Sequence, residues 1–472
     1  MRSTIQAKRT QAVFLAFTLL FGSWFLIFYF RHWADGNDLL TGVGEIAIGR
    51  AHWRDDWEET HLNHVQSPDF DDGEAKGNVI QHGSVSRQAN PSLTTDAPQS
   101  GDKTSPTPAA SWPPAELADT GEPSQLACPA PAGARYDHLR NTPTNRGPAR
   151  FRANKIHYLF ALNLHQSAEV MPRLLGSIVQ AMEYLGPERC ALSVVEGPSE
   201  DGTHEILARF QTEIELMGSH FYLNTSSLDP KAPGSKRIET LAELRNMVLA
   251  PLRRGPDRHK FSSESIVIFL DEIALCPEDI LELLHQHVTQ SAHMTCAFDW
   301  IFEGSTFNNV WVSRSMAGDL FFEIPHDGSW AYKDDLFWDD PSSRERYESK
   351  LPLQVYSCWG GMVTIDAQPF ARGKLRFRSS EEGECVMGEA TLLAKDMWRQ
   401  EMGKIMAVPT VNVGYSDHEC SKTKERRGYV HDHVDMTSSV DTPEEMIDWQ
   451  TRPPGMVKCL PDWNQPSWVE PV

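Results

Sequence analysis

From about residue 152 onwards, apolar runs of strand length alternate with segments in which apolar residues recur every three or four positions. The short runs predict strands, and the longer periodic segments predict helices. The predicted strands are 156–162, 190–195 and 266–270, and the predicted helices are 167–185, 203–210, 238–252 and one that begins at Pro277. This alternation is typical of an α/β fold in which helices cover both faces of a mainly parallel central sheet.

Beyond residue 290 the chain becomes richer in aromatic residues, Asp and Gly. The pattern still predicts strands at 362–365 and from residue 409, and a helix at 390–399. We interpret this part as the second, site-forming half of one globular unit rather than as an independent domain.

The N-terminal region contains a 19-residue uncharged run at positions 12–30, which is long enough to span a bilayer as a helix. Arg2, Lys8 and Arg9 precede it, so the positive-inside rule predicts a cytosolic tail at 1–11 and a signal anchor at 12–30. A cleaved signal peptide is the alternative, but the run is long for one and no convincing small-x-small site follows.

Residues 31–150 are predicted to form a lumenal stem, largely disordered, ahead of a catalytic domain at 151–472. The part from Ser84 to Pro148 is dense in Ser, Thr, Pro, Gly and Asp. Such a composition buries too little apolar area to offset the entropy cost of ordering. A short tail, an anchor and a stem together predict a membrane-tethered domain in the lumen.

Charge and cysteine content narrow the function classes. The net charge of −21 makes a nucleic-acid backbone an unfavourable partner. The 8 cysteines show no C-x-x-C spacing, which argues against a structural zinc site. Some could pair in a lumenal compartment, but sequence cannot choose the pairs. For cysteines inside apolar runs, such as Cys296, buried free thiols are the favoured interpretation. Asn224 begins an Asn-Thr-Ser glycosylation sequon.

The strongest chemical signal is the pair Asp271 and Glu272, directly after the predicted strand 266–270. Ligands bind at the carboxyl ends of strands in open α/β sheets. Two adjacent carboxylates are costly unless a cation or ligand lies between them, and a divalent ion that holds a nucleotide diphosphate meets that need. The alternative is a strand that simply leads into the helix beginning at Pro277.

Other charged residues are candidates for the nucleotide side of a site. Glu196 ends the strand 190–195, where an acid can bind ribose hydroxyls. Asp201 and Thr203 suit the same loop or a helix cap, and capping is favoured for Thr203.

Arg237 and Arg245, at the start of and within the predicted helix 238–252, lie eight residues apart, roughly on one helical face. Both could therefore contact phosphates, with Asn246 beside Arg245. The alternative is a solvated helix face on which Glu239 and Glu243 are their partners.

Aromatic and glycine residues suggest a sugar-binding region. Trp359 precedes Gly360 and Gly361, and Trp rings stack on sugars while Gly-Gly lets a backbone approach a ligand closely. A turn between two strands is the alternative interpretation.

Three further residues are candidates for the reaction centre. Asp299 ends an apolar run, and Glu384 stands in an acid-rich segment before the helix 390–399, where we expect it to face the site. His418 follows the strand that starts near residue 409, and could complete a metal site begun by Asp271, although a lone His there is usually a surface residue.

The order of these motifs resembles the fungal α-1,3-mannosyltransferase family associated with capsule and cell-surface mannans (glycosyltransferase family 69). The similarity covers roughly residues 152–430, and the stem shows none. The segments that carry it are 163–172, 196–203, 244–246, 269–273, 296–300, 311–314, 358–361, and Glu384-Cys385 before 391–393.

The resemblance implies a GT-A-like nucleotide-sugar-binding fold, GDP-mannose as donor, a divalent metal such as Mn²⁺, a mannose-containing acceptor, retention of configuration and a type II Golgi protein. In this family frame Asp271 with Glu272 takes the place of the metal-binding acidic motif, but adjacent acids depart from D-x-D. Which of the two binds the metal is therefore open.

The same frame places Glu196 and Asp201 on the nucleoside side, and Asp299 and Glu384 near the sugar and the acceptor. His418 as a metal ligand rests on analogy with other enzymes of the fold.

Two hypotheses remain besides an active transferase. One is a catalytically silent member that binds glycans or forms a complex with other Golgi transferases. The other is a metal-dependent hydrolase, which is disfavoured because the chain has no His-rich cluster such as H-E-x-x-H.

Overall fold

A computed structural model describes residues 126–140 and 155–471 of the chain. Its centre is a sheet of nine strands in the order β3-β2-β1-β4-β8-β5-β9-β7, with β6 paired to β5. A separate two-stranded sheet pairs β10 with β11. The strands are β1 Ile156–Leu164, β2 Cys190–Glu196, β3 His220–Thr225, β4 Phe261–Leu270, β5 Met294–Ile301, β6 Thr306–Phe307, β7 Leu353–Gln354, β8 Met362–Asp366, β9 Ile405–Gly414, β10 Val457–Cys459 and β11 Ser467–Val469.

Helices cover both faces of this sheet. The α-helices are α1 Asp137–Arg140, α2 Met171–Leu185, α3 Thr203–Leu216, α4 Arg237–Val248, α5 Ala250–Arg253, α6 Pro277–Thr289, α7 Pro341–Glu348, α8 Ala367–Ala371, α9 Glu389–Arg399 and α10 Asp417–Arg427. Side chains of β1 alternate between two cores: Phe160 and Leu162 pack with α2 and α6, whereas Leu159 and Ala161 pack with α4 and α9. The mixed α/β class with a mainly parallel sheet is therefore confirmed.

Strand direction decides where the site lies. β1, β2, β3 and β4 are parallel, β8 runs antiparallel between β4 and β5, and β5 is parallel to β9. The carboxyl ends of β2, β4, β5 and β9 consequently meet at one edge of the sheet. Glu196, Asp271 and Asp299 all lie at this edge, and for Glu196 and Asp271 this agrees with their predicted positions at strand ends.

Residues 126–140 lie on the folded unit, although the sequence assigned them to the stem. A disulfide joins Cys128 to Cys276 at the start of α6. Arg135 is 1% exposed and forms ion pairs with Glu282 and Asp441. Cys128 and Arg135 thus fix this segment, and the folded unit includes residues before 151.

The helix predicted over 238–252 is interrupted. It ends at Val248, and α5 begins at Ala250 with Pro251 in its first turn. Proline has no N–H to donate to the preceding turn, so a continuous helix through this position is unfavourable. Strand β3 was not predicted, because its apolar stretch is only three residues long and only Phe221 is buried.

Three disulfides are present among the described residues: Cys128–Cys276, Cys296–Cys358 and Cys385–Cys459. The interpretation of Cys296 as a free thiol is therefore wrong. Its partner comes from the segment before β8, and β8 is the antiparallel neighbour of β5. Cys190 and Cys420 are free and buried.

No helix within 126–140 or 155–471 is long and apolar enough to cross a membrane. The predicted anchor at 12–30 and most of the predicted stem lie outside the described residues.

Candidate active site

Asp271 follows the last residue of β4 and is held from two sides. Its Oδ2 accepts a hydrogen bond of 2.7 Å from the indole Nε1 of Trp359, and its Oδ1 lies 3.6 Å from Nη2 of Arg245. Burial raises the pKa of this carboxyl to about 6, although Arg245 and Trp359 act in the opposite direction. The side chain still keeps 30% of its surface exposed, so a ligand can reach it.

Glu272 serves a different purpose from its neighbour. Its Oε1 accepts hydrogen bonds from the backbone N–H of His165 at 2.9 Å and from the hydroxyl of Ser167 at 2.7 Å. It therefore anchors the loop after β1. Burial raises the pKa of Glu272 to about 7, and the charge of Asp271 adds to the increase.

Arg245 projects from α4 between aromatic rings and two carboxylates. Its guanidinium lies 3.8 Å from the centre of the Trp359 ring, and its Nε lies 3.0 Å from Oε1 of Glu389. The Nη1 atom is buried and has no hydrogen-bond partner within the described residues. An unsatisfied guanidinium N–H is costly to bury, so a polar ligand beside it would be favourable.

Asp299 lies near the end of β5 and is fully buried. The hydroxyl of Tyr415 and the amide groups of Asn308 and Asn309 donate hydrogen bonds to its carboxylate. Burial raises the pKa of Asp299, and these hydrogen bonds oppose the increase. The Asp299 charge in turn raises the pKa of Asp271, which identifies the two as electrostatic neighbours.

Trp359, Gly360 and Gly361 form the wall beside Asp271. Trp359 is 2% exposed and is covered by Arg245, so its ring is not an open stacking surface in this conformation. Gly360 has φ 67°, and a Cβ there would lie 1.8 Å from the carbonyl oxygen of Ala297. The glycine pair therefore permits close packing on β5 and lets the Gly361 carbonyl accept from the Asp271 N–H at 2.8 Å.

A cavity of about 430 Å³ opens beside Glu196 at the ends of β2 and β3. Glu196 is 3% exposed, and its carboxylate accepts from the backbone N–H of Ser199 and lies 3.4 Å from Nδ1 of His204. His204, Thr225 and several serines complete the lining. Hydroxyl and carboxylate groups around such a cavity suit a sugar or nucleoside.

Asp201 ties two loops together. Its Oδ2 accepts from the N–H of Ala168, and its Oδ1 accepts from the N–H and the hydroxyl of Thr203. The expectation that Thr203 caps its own helix is wrong. Its hydroxyl accepts from Ser167, and Gly202 occupies the cap position.

The other candidates from α4 differ in their contacts. Arg237 is exposed at the first residue of the helix. Asn246 forms hydrogen bonds with both the N–H and the C=O of Phe377 and thus fixes the loop that contacts Arg245. The structure therefore places Arg245 at a carboxylate cluster formed by Asp271, Asp299 and Glu389. Asn246 instead binds the backbone of Phe377.

Glu384 lies in an ion-pair network. Its carboxylate pairs with Arg378 at 2.6 Å and with Lys395 at 2.8 Å. Hydrogen bonds from Arg378, with Lys395 in support, hold the pKa of Glu384 far below its usual range. These contacts account for its charge within the described residues, without any contact to Asp271.

His418 stands at the beginning of α10, after β9. It is half exposed, and its Nε2 lies 3.9 Å from Oε1 of Glu303. No group of three or more His, Cys, Asp or Glu side chains in the described parts of the chain forms a ready metal site. Asn224 is exposed on the edge strand β3, where its sequon is accessible.

Two residues at the carboxylate cluster, Glu389 and Tyr415, were not predicted from the sequence. Glu389 is 5% exposed and pairs with Arg245, although it stands in the acid-rich segment from which Glu384 was chosen. Tyr415 comes directly after β9 and donates to Asp299. The signal for Tyr415 was its place after a strand end; nothing local distinguished Glu389 from its acidic neighbours.

Of the pair, Asp271 is the acid that could hold a divalent ion next to a phosphate, because it lies beside Arg245, whereas Glu272 holds the loop after β1. The carboxylate of Asp299 is already used in internal hydrogen bonds. Ions such as Mg²⁺ need only one or two protein carboxylates when substrate phosphates supply further ligands. The unsatisfied Nη1 of Arg245 offers a nearby contact for such a phosphate.

Comparison with known proteins identifies the family. Residues 157–396 match the family described as cryptococcal mannosyltransferase 1. The alpha-1,3-mannosyltransferase of Cryptococcus neoformans var. neoformans serotype D is 33% identical over 351 residues, which is 68% of this chain and 73% of that protein. The chain belongs to the cryptococcal mannosyltransferase 1 family, a family of glycosyltransferases.

Two solved structures align with the chain at low similarity. TarS of S. aureus aligns with a TM-score of 0.33 and 11% identity, over 55% of this chain and 60% of the TarS chain. The mannosyltransferase PcManGT from Pyrobaculum calidifontis, in complex with GDP-Man and Mn²⁺, aligns with a TM-score of 0.32 and 13% identity, over 59% of this chain and 62% of its own. The family assignment rests on the sequence matches.

Proposed function

We propose that this protein transfers mannose from GDP-mannose to a mannose-containing acceptor, with retention and in α-1,3 linkage. The observation that carries the proposal is the 33% identity to an alpha-1,3-mannosyltransferase over most of both chains. The carboxylate cluster at the edge formed by β4 and β5 supports it. We also propose a GT-A-like fold, which the strand order and the family membership support.

The donor would lie across the carboxyl ends of the strands. The Glu196 cavity accommodates the nucleoside, since its carboxylate and hydroxyl groups match ribose and base. Arg245 contacts the diphosphate through its unsatisfied Nη1. Asp271 holds a divalent ion, which we propose is Mn²⁺.

When bound, the ion stabilises negative charge on the departing diphosphate. The residues of the chain orient the groups around it. Trp359 fixes the Asp271 carboxylate by a hydrogen bond and also stacks with Arg245, so both charged groups keep their positions. Tyr415 and Asn308 orient Asp299 in the same way, in reach of the sugar.

The compartment is also a proposal. Three disulfides within the described residues favour an oxidising environment. Together with the apolar run at 12–30, they support a type II protein of the Golgi membrane whose catalytic domain lies in the lumen.

The test is the melting temperature of the full chain with GDP-mannose, UDP-glucose or UDP-xylose, each with and without Mn²⁺. A ligand that binds only the folded state raises the melting temperature by mass action. We expect the largest increase with GDP-mannose plus Mn²⁺, and transfer of radiolabelled mannose to α-1,3-mannobiose. An increase in melting temperature with UDP-sugars alone would contradict GDP-mannose as the donor. Binding of GDP-mannose without transfer would favour a catalytically silent glycan-binding or scaffold protein.

A further inference from the structure

The Glu196 cavity and Asp271 lie on different strands, with β1 between them. The sheet order is β3-β2-β1-β4, and the cavity opens at the carboxyl ends of β2 and β3, whereas Asp271 follows β4. Neighbouring strands are about 4.8 Å apart, so the ends of β2 and β4 are separated by about 10 Å. A ligand that reaches from the cavity to Asp271 must therefore pass the end of β1.

The loop directly after β1 is fixed on both sides of this path. On the β4 side, the N–H of His165 donates to Oε1 of Glu272 at 2.9 Å. On the β2 side, the side-chain oxygen of Gln166 accepts from the N–H of Glu200 at 2.9 Å and from the N–H of Asp201 at 3.2 Å. The loop is therefore held in a defined position between the two parts of the proposed donor site.

The imidazole ring of His165 takes no part in holding the loop. The hydrogen bonds from His165 to Ser167 and Glu272 are donated by its backbone N–H. The ring is partly exposed, so a ligand can reach it. Its Nδ1 is buried and has no hydrogen-bond partner in the described parts of the chain. A buried nitrogen without a partner is costly, so a polar ligand at this ring would be favourable.

The His165 ring lies against the wall of the cavity. A Cβ on Gly197 would be 3.0 Å from Nδ1 of His165, and Gly197 lines the cavity next to Glu196. The N–H of Gly197 donates to the carbonyl of Leu164 at 2.8 Å, which continues the pairing of β1 with β2 past the strand ends. These contacts place the ring beside the cavity, on a residue whose backbone is bound to the neighbour of Asp271.

We propose that His165 is a donor-binding residue whose imidazole donates a hydrogen bond to the diphosphate of the nucleotide sugar. The inference rests on the proposed transferase function. A neutral imidazole carries one N–H in either tautomer, so it can bind a phosphate oxygen without a change of charge. Arg245 and the ion at Asp271 contact the diphosphate from the β4 side, and His165 contacts it from the end of β1. A donor group at this point is favourable, because carboxylates surround the path of an anionic ligand.

The experiment measures the Kd of the full chain for guanosine, GMP and GDP by titration calorimetry with Mn²⁺ present, in the wild type, His165→Ala and His165→Gln. Guanosine has no phosphate, so a contact to the diphosphate predicts a loss confined to the phosphorylated ligands. We expect His165→Ala to raise the Kd for GDP by roughly tenfold, as for one lost hydrogen bond to a charged group, and to leave guanosine unchanged. His165→Gln should recover part of the affinity, because its side-chain amide also donates.

Two other histidines provide matched controls. His204 lines the cavity and lies 3.4 Å from the Glu196 carboxylate, so His204→Ala should weaken the binding of all three ligands alike. His259 is exposed in the turn that precedes β4, at the opposite edge of the sheet from the site. His259→Ala should therefore change none of the three Kd values. Melting temperatures without ligand check that each variant is folded.

An unchanged Kd for GDP in His165→Ala would overturn the proposal. An equal loss for guanosine and GDP would also overturn it, because the ring would then only support the cavity wall. The same series with uridine, UMP and UDP separates a wrong donor from a wrong contact. If the wild type binds only the uridine series, GDP-mannose fails as the donor, and UDP then tests the His165 contact in the same way. A wild type that binds neither series would reject both the transferase function and the role of His165.

Discussion

At the residue scale, Asp271 and Glu272 show how two adjacent acids can differ in purpose. Both residues follow the end of β4 in a turn, and their side chains contact different parts of the protein. Asp271 meets Trp359 and Arg245, while Glu272 meets the loop at His165 and Ser167. Their chemical identity was visible in sequence, but the division between ligand binding and loop anchoring depends on which partners the fold brings to each.

Asp271→Asn should lower the rate of mannose transfer by roughly 100-fold or more, the range seen when a preorganised charged or polar group is removed from a reaction centre. The Asn amide oxygen still accepts from Trp359 Nε1, so the fold should persist. The measurement is the initial rate of transfer at saturating Mn²⁺, with the melting temperature as a check on folding.

Glu389→Gln is the companion variant. Glu389 pairs with Nε of Arg245, whereas Asp271 lies near Nη2 of the same guanidinium. We expect a smaller loss of rate in this variant. Equal rates for Asp271→Asn and the wild type would exclude Asp271 as the metal-holding residue.

Glu384→Gln should destabilise the protein and leave the chemistry intact. Arg378 and Lys395 lower the pKa of Glu384 in the folded state. Its charge therefore stabilises the fold at pH values above 4.5, the ordinary pKa of a glutamate. That contribution is lost as the pH falls below 4.5 towards the folded-state pKa. At pH 7 we expect the free energy of unfolding of the variant to be about 2 kcal/mol lower than that of the wild type, which is the size of a hydrogen bond to a charged group.

The check is urea unfolding of the wild type and of Glu384→Gln at several pH values from 7 down to 3. The difference between the two proteins should shrink as the pH decreases. A variant of normal stability that has lost transfer activity would instead support the role near the acceptor that the family resemblance implies for Glu384.

At the element scale, apolar continuity decided what could be predicted. β1, β2 and the second half of β4 are nearly continuous apolar runs because both of their faces are buried, and the sequence predicted them. β3 is a short edge strand with only three consecutive apolar residues, and it pairs with β2 alone, so its own sequence carries little signal. The segment 126–140 is short, and its order depends on a disulfide and a buried ion pair rather than on a hydrophobic period.

Arg135→Ala should therefore destabilise the folded unit strongly. Removal of the guanidinium leaves Glu282 buried without its bidentate partner, and such a loss costs about 3–5 kcal/mol. Arg140→Ala is the control, because Arg140 is 53% exposed and pairs with Asp137 only at 4.0 Å. That exposed pair should contribute less than about 1 kcal/mol.

Urea midpoints of the two variants provide the comparison. A similar midpoint for Arg135→Ala and the wild type would mean that residues 126–140 do not contribute to the stability of the domain.

At the scale of the whole molecule, the site is assembled from distant parts of an acidic chain. Glu196 and Asp271 were each predicted at the carboxyl end of a strand, and the topology places both, together with Asp299, at one edge of the sheet. Arg245 reaches the cluster from α4, and Glu389 reaches it from the start of α9. No local sequence pattern indicates that a helix side chain contacts the end of a distant strand. The contacts of Arg245 and Glu389 could therefore be identified only from the three-dimensional structure.

The disulfide pairing of the whole molecule can be tested by counting its free thiols in a titration. Of the 8 cysteines, six are paired and Cys190 and Cys420 are free. Burial raises the pKa of the Cys420 thiol to about 12, so neither free thiol should react rapidly in the native protein. A non-reducing titration should therefore find close to zero reactive thiols before denaturation and two per chain afterwards. Eight thiols in protein from its natural compartment would contradict the pairing and remove the structural support for a lumenal location, because reducing compartments keep such cysteines as thiols.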